Sequence, residues 1–217
     1  MARRSHSPLT DWHDAFDQLA SRLLGSDEQG RRSLLVTACH AGAGASTVAQ
    51  NVAVALARRR RGRALLVDGN LRSPSLHEAL HVPRSSGLAE AANFEIPIED
   101  ALLWSEQHAN LWFMTAGRRL ESPVLFLESP ELESFLKVLE SSFEYVVFDS
   151  APVGSCPEAL ILARQVGSVV LVLEAESTRW EVAQGTKRLL EEARVQVPGV
   201  VLNRKRHHVP SWLYRLL

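Results

Sequence analysis

SLLVTACHAGAGASTVAQNVAVALARRR, Ser33 to Arg60, is the stretch on which the fold turns. Leu34, Leu35 and Val36 make a short β-prone apolar run. Cys39–Gly44 follows as a Gly-rich segment, and Val48, Val52, Ala55 and Leu56 then recur with helical spacing. Strand, glycine-rich loop and helix, in that order, form a receiver for phosphate. Glycines let backbone N–H groups turn toward an anion, and the helix N-terminus adds a favourable dipole. Ser46 and Thr47 stand where such loops put a hydroxyl for Mg²⁺. The pattern G-x-x-x-x-G-K-[ST] is nevertheless incomplete: Ala45 stands where the lysine belongs, and Cys39 replaces the first glycine. In isolation the segment reads equally well as a Gly/Ala-rich turn, so the remainder of the chain has to decide.

The 217 residues are enough for one substantial core without a second domain. A formal net charge of −1 gives no reason to expect nucleic-acid affinity. With Cys39 and Cys156 as the only cysteines, neither a disulfide framework nor a cysteine-based zinc site is supported. No apolar run approaches the roughly 20 residues of a membrane span, and MARRSHSPLTDWHD lacks the apolar region of a secretory signal. The expectation is a cytoplasmic protein: residues 1–8 disordered, 9–206 a single domain, and 207–217 a tail.

Thr10 is expected to cap a helix with Trp12, Phe16, Leu19 and Leu23 on one face, ending near Gly25. Arg58–Arg61 are expected in the last turn of the helix after the loop, where cations complement its dipole. Strands are expected at Arg63–Val67, Leu111–Thr115, Tyr145–Phe148, Ser168–Leu173 and Gly199–Leu202. Helices are expected at Pro130–Ser142, Pro157–Gln165 and Thr178–Arg194, the last capped by Thr178, with short helices and loops between Asn70 and Asn110. Strands that are continuous Val/Leu runs alternating with helices indicate an α/β fold, a mainly parallel sheet with helices on both faces. Asp68, Asp149 and Asn203 each close a buried strand, at the carboxyl edge where such sheets bind ligands. Any one of them alone is an ordinary turn residue. Three around a Gly-rich loop point to a nucleotide site.

VVFDSAPV at Val146–Val153 is similar to the Walker B segment of the bacterial tyrosine kinases of capsular and exopolysaccharide systems, and LLVDGNLRSPSLHEAL at Leu65–Leu80 resembles their Walker A′ segment. The loop itself matches apart from its lysine, and Gly87–Leu88, Ala116–Gly117 and GVVLN at Gly199–Asn203 follow in order. These kinases share a P-loop NTPase group with MinD and ParA. The resemblance implies ATP and Mg²⁺ as cofactors, with Gly42, Ala43, Gly44, Ala45, Ser46 and Thr47 around the phosphates and Ser46 on the metal. It implies that Asp68 assists proton removal from an acceptor tyrosine, that Asp149 holds the metal through water, and that Asn203 contacts adenine. Arg72 matches the arginine that follows Walker A′. The implied partner is the cytosolic tail of a membrane polysaccharide co-polymerase, which would hold the chain at the inner face of the membrane. Homo-oligomers are also implied.

The departures cluster on the chemistry. Beyond Ala45, Asn70 replaces the second Walker A′ aspartate, and His40, as a neutral imidazole, occupies the position of the extra lysine of MinD and ParA. The oligomerisation motif E-x-x-R-x-x-R is present only as DAFDQLASR, with Asp17 and Ala20 at its arginine positions, and the tyrosine-rich tail has shrunk to Tyr214. Losing one charge-assisted hydrogen bond to phosphate costs ~1.5–3 kcal/mol. Losing a donor to transition-state charge costs on the order of 10²–10³ in rate. The expectation is therefore a degenerate kinase-like regulator with weak nucleotide binding. The alternatives are a scaffold that binds no nucleotide and a MinD/ParA-like positioning ATPase. A third feature, Trp212, Leu213, Leu216 and Leu217 beside basic residues, would form a short apolar face that docks on the domain itself.

Overall fold

In the computed structural model, residues 8–25, 33–59, 62–82 and 85–205 are described. Seven strands form one sheet in the order β3-β4-β2-β5-β1-β6-β7. They are β1 (Ser33–Ala38), β2 (Ala64–Asp68), β3 (Leu103–Trp104), β4 (Leu111–Met114), β5 (Tyr145–Asp149), β6 (Ser168–Glu174) and β7 (Gln196–Asn203). All pair in parallel except β3, which runs antiparallel to β4. That two-residue strand is too short to announce itself in sequence, so an edge expected as helix and loop is partly sheet.

The strands are apolar throughout because both of their faces are covered. Leu35, Leu65, Val67, Val146, Phe148 and Val169 pack on one side, under α6 (Pro130–Ser142) and α7 (Pro157–Val166). Leu34, Val36, Leu66, Val147, Val170 and Val172 pack on the other, under α1 (Pro8–Gly25) and α2 (Ala45–Ala57). The remaining helices are α3 (Leu76–Ala79), α4 (Leu88–Ala92), α5 (Pro123–Leu127) and α8 (Trp180–Glu192), with a 3-10 turn at Ile98–Ala101. Proline at the first turn and a preceding serine start both α5 and α6: Ser122 Oγ accepts from Leu125 N–H and Ser129 Oγ from Leu132 N–H. The two short matches Gly87–Leu88 and Ala116–Gly117 meet in space, where Leu88 N–H donates to Thr115 O and Ala89 N–H to Ala116 O.

Several boundaries differ from expectation. Helix α1 begins at Pro8, so Thr10 lies inside it. Phe16 and Leu19 are half-buried and Leu23 is buried against α2, as the spacing requires. Ala20 is fully buried in the same contact, leaving no room for an arginine. Helix α2 ends at Ala57 with Arg58 as its C-cap, so Arg58 and Arg59 lie beyond the last turn, while Arg60 and Arg61 lie outside the described residues. Arg59 donates to Ser21 Oγ instead. Helix α8 starts at Trp180 with Arg179 as its N-cap, and Thr178 is used elsewhere. The expected tail features, from Tyr214 to the Trp212–Leu217 face, lie outside the described residues. No helix among the described residues is long and apolar enough to cross a membrane.

The order of the strands places the site. After β1 the chain leaves through α2 on one face of the sheet, and after β5 it leaves through α7 on the other. Neighbouring strands whose connections part to opposite faces open a crevice at their carboxyl ends. The Gly-rich loop follows β1 and Asp149 ends β5, so both border that crevice.

Candidate functional site

Gly42 (φ 83°) and Gly44 (φ 92°) take the left-handed conformation that turns the loop into the N-terminus of α2, where backbone N–H groups can meet an anion. A Cβ at Gly44 would press on the Asn203 side-chain amide, adding to the preference that its positive φ already sets. Asn203, at the end of β7, donates from Nδ2 to Ala43 O at 2.9 Å and props the loop from the side. Ala43 itself is buried, Ala45 and Ser46 are half-buried, and Thr47 is exposed.

Asp68 and Asp149 are register partners across β2 and β5. Both are almost wholly buried, at 0 % and 2 % exposure. Asp149 lies near the loop, close enough for the Ser46 hydroxyl to stabilise its charged form. Its Oδ1 is buried and has no hydrogen-bond partner. Burial pushes its carboxyl up to about 7, with the neighbouring Asp68 charge adding to the rise and the bonds from Ser46 and Ser150 opposing it. A buried carboxylate with an unpartnered oxygen beside a loop hydroxyl fits a hydrated divalent cation in both charge and donor type. Of the two carboxylates in the expected metal set, Asp149 is the one with a wholly unpartnered oxygen.

Asp68 is occupied. Its Oδ1 accepts from Asn70 N–H at 3.1 Å, and its Oδ2 accepts from Ser75 N–H at 3.0 Å and Leu76 N–H at 2.9 Å. Burial still raises its carboxyl above the usual range, against those three bonds and nearby His77. Asn70 works in the same turn: its Oδ1 accepts from Ser73 N–H at 3.2 Å, a bond an amide makes as well as a carboxylate.

The cations stand aside from the loop. Arg72 is held by Glu158 at the start of α7, through Nε at 3.2 Å and a shorter Nη2 contact, and remains 65 % exposed. The pairing holds the Glu158 carboxyl below its ordinary range. His40 bonds sideways: Nδ1 donates to Ala41 O at 3.0 Å, and Nε2 lies 3.0 Å from the Thr178 hydroxyl, which also accepts from Glu174 N–H at 2.9 Å. Arg204 in turn donates to Glu174 Oε1 at 2.9 Å.

Three contributors escape sequence reading. Glu158 and Thr178 act through partners distant in the chain and carry no local signal. Thr37 does carry one, as a hydroxyl inside an apolar strand. Fully buried, it donates to Ala151 O at 2.7 Å and accepts from Val153 N–H at 3.1 Å, holding the segment after Asp149 in place.

This layout, a Gly-rich loop after β1 and a buried aspartate at the end of the neighbouring β5, agrees with the family model that fits the chain. The ParA model, described as NUBPL iron-transfer P-loop NTPase, matches residues 29–212. The chain belongs to the ParA family of P-loop NTPases. Among the described residues, no group of three or more His, Cys, Asp or Glu side chains is placed to hold a metal ion. Tyrosine-protein kinase YwqD of Bacillus subtilis is 28% identical over 182 residues, covering 83% of this chain and 76% of that one. The crystal structure of the chimerical protein CapA2B2 matches with a TM-score of 0.85 at 26% identity, over 94% of this chain and 88% of that one. The cell division ATPase MinD of Pyrococcus furiosus matches with a TM-score of 0.66 at 26% identity, over 85% of this chain and 77% of that one. The resemblance to bacterial tyrosine-kinase domains within the group that holds MinD and ParA thus stands, as does the fold class.

Proposed function

We propose that this chain is a kinase-like regulator of capsule or exopolysaccharide export, which binds nucleotide weakly and transfers phosphate to tyrosine poorly or not at all. The observation that carries the reading is Asp149: buried, close to Ser46, with one oxygen unpartnered beside an amide-lined loop that has lost its lysine. Loop amides and the helix dipole act on bound phosphate. Mg²⁺, when bound, shields phosphate charge, and Ser46 and Asp149 are the residues that would hold it. Asp68 is the remaining candidate for taking a tyrosine proton, and its three amide contacts restrain it for that task. The partner in this reading is the cytosolic tail of a membrane polysaccharide co-polymerase, which brings the chain to the inner face of the membrane. The likeness to the tyrosine kinase YwqD and to CapA2B2 supports it.

Thermal melting with millimolar Mg²⁺-nucleotide tests the binding half. A stabilising shift that disappears on Ser46→Ala supports the reading, and no response favours a scaffold that uses the same surface without nucleotide. A phosphotransfer assay with the co-polymerase tail tests the other half. Strong labelling that depends on Asp68 would make the chain an active kinase and overturn the regulator. A positioning ATPase is disfavoured because both lysines used by MinD and ParA are absent, as Ala45 and His40. ATP-dependent dimerisation would revive it.

A further inference from the structure

The loop keeps one half of a triphosphate site and lacks the other. In a complete loop, backbone N–H groups cradle the α- and β-phosphates while the lysine reaches the β- and γ-phosphates. Here the cradle is whole: Gly42 and Gly44 hold the left-handed turn, Asn203 fixes the Ala43 carbonyl, and α2 begins at Ala45. The side the lysine would have served is acidic and has no cationic side chain of its own. Ala45 brings no charge there, and Asp149 lies close to Ser46 with Asp68 beside it. The nearest candidates in sequence and fold are committed elsewhere, Arg72 to Glu158, Arg204 to Glu174, and His40 to Ala41 and Thr178. A γ-phosphate would add negative charge next to buried carboxylates, in a medium where charges are weakly screened. Its one compensation would be a further bond to Mg²⁺, an ion that a β-phosphate already engages.

We propose that this loop is a nucleoside-diphosphate site, one that takes Mg²⁺-ADP at least as tightly as Mg²⁺-ATP and so reads the spent nucleotide. The inference rests on the nucleotide-binding reading above and adds to it a choice between ligands. A domain of this kind would report the diphosphate state of the pool without turning anything over. Its carboxylate pair would act as a filter against the third phosphate rather than as catalytic apparatus.

Isothermal titration of the whole chain with ADP, ATP and AMP, each with Mg²⁺, tests it. The expected result is ADP equal to or tighter than ATP, with AMP at least roughly tenfold weaker than ADP because the β-phosphate fills the cradle. Ala45→Lys is expected to move the ATP-to-ADP affinity ratio toward ATP by roughly ten- to a hundredfold, the worth of one charge-assisted hydrogen bond. ATP binding tenfold or more tightly than ADP in the unaltered chain overturns the inference and leaves the nucleotide site standing. AMP equal to ADP also overturns it, since the phosphates would then not be what is read. Silence toward all three overturns both this inference and the reading beneath it. The ratios in the unaltered chain decide the matter even if the lysine variant fails to fold.

Discussion

Two aspartates occupy the same row of the sheet and do opposite jobs. Asp68 ends β2 and Asp149 ends β5, register partners buried to a similar degree. Three backbone N–H groups from Asn70, Ser75 and Leu76 converge on the first. The second keeps an oxygen without a partner. A carboxylate that collects amides organises the chain around it, whereas one left short of partners costs stability until a cation arrives. The difference teaches that matching residue types at matching strand ends do not imply matching surroundings: in this chain Asp68 is foremost an anchor for residues 70–76, and Asp149 is the one with an oxygen left unpartnered, the group we propose meets a cation.

Removing the anchor is the harshest way to test that contrast. Asp68→Ala leaves three N–H groups without their acceptor, one of them on buried Leu76, and releases the segment that leads into α3. The expected loss is about 3–5 kcal/mol, or a fall in Tm of roughly 6–20 °C for a chain of this size. A melt lowered by less than about 2 °C would mean that residues 70–76 hold themselves, and the contrast would fail.

Asp149→Asn should move stability the other way. The folded-state value of about 7 lies above the ordinary 3.8, so the native chain holds this proton more tightly than the unfolded one. Stability from this group is therefore present at low pH and is lost as pH rises from about 4 to 7. The neutral amide escapes that loss. Compared with the unaltered chain, Asp149→Asn is expected to gain about 2–4 kcal/mol above pH 7, with the advantage opening between about pH 4 and 7. Saturating Mg²⁺-nucleotide should erase it by giving the carboxylate its cation. Melts at pH 5 and pH 8 that differ equally for the two proteins would show that Asp149 is not the strained member of the pair.

Much of this arrangement was legible before any coordinates. Parallel strands covered on both faces leave continuous Val and Leu runs, so β2, β5 and β6 were readable to within a residue, as was α6 between Pro130 and Ser142. The strand-closing positions of Asp68, Asp149 and Asn203 followed from where those runs stop. Roles were less legible, because they depend on which long-range partner reaches a side chain first. Arg72, matched by resemblance to the arginine after Walker A′ in the nucleotide site, is in the structure paired with Glu158, 86 positions along the chain. Thr178 reads as a helix cap until its hydroxyl is found between His40 and the Glu174 amide, while Arg179 occupies the cap position. Asn203 reads as a base contact, and in the structure it is first a prop under the loop. The short antiparallel β3 escaped because two residues carry no period at all.

The gentlest test concerns how the loop keeps its shape. If Gly44 and Asn203 set that shape, the link from His40 through Thr178 to Glu174 is an outer brace, and cutting it should matter little. Thr178→Val keeps the volume and removes the hydroxyl, freeing His40 Nε2 and the Glu174 amide from their shared partner. Both groups are only partly buried, so water can replace much of what is lost, and the expected cost is about 0.5–1.5 kcal/mol. Nucleotide affinity should change by less than roughly tenfold, since the amides that face the phosphates are not touched. A loss as large as that of Asp68→Ala would relocate the loop's support to the turn between β6 and α8. His40 would then be more than a bystander at the position where its relatives keep a lysine.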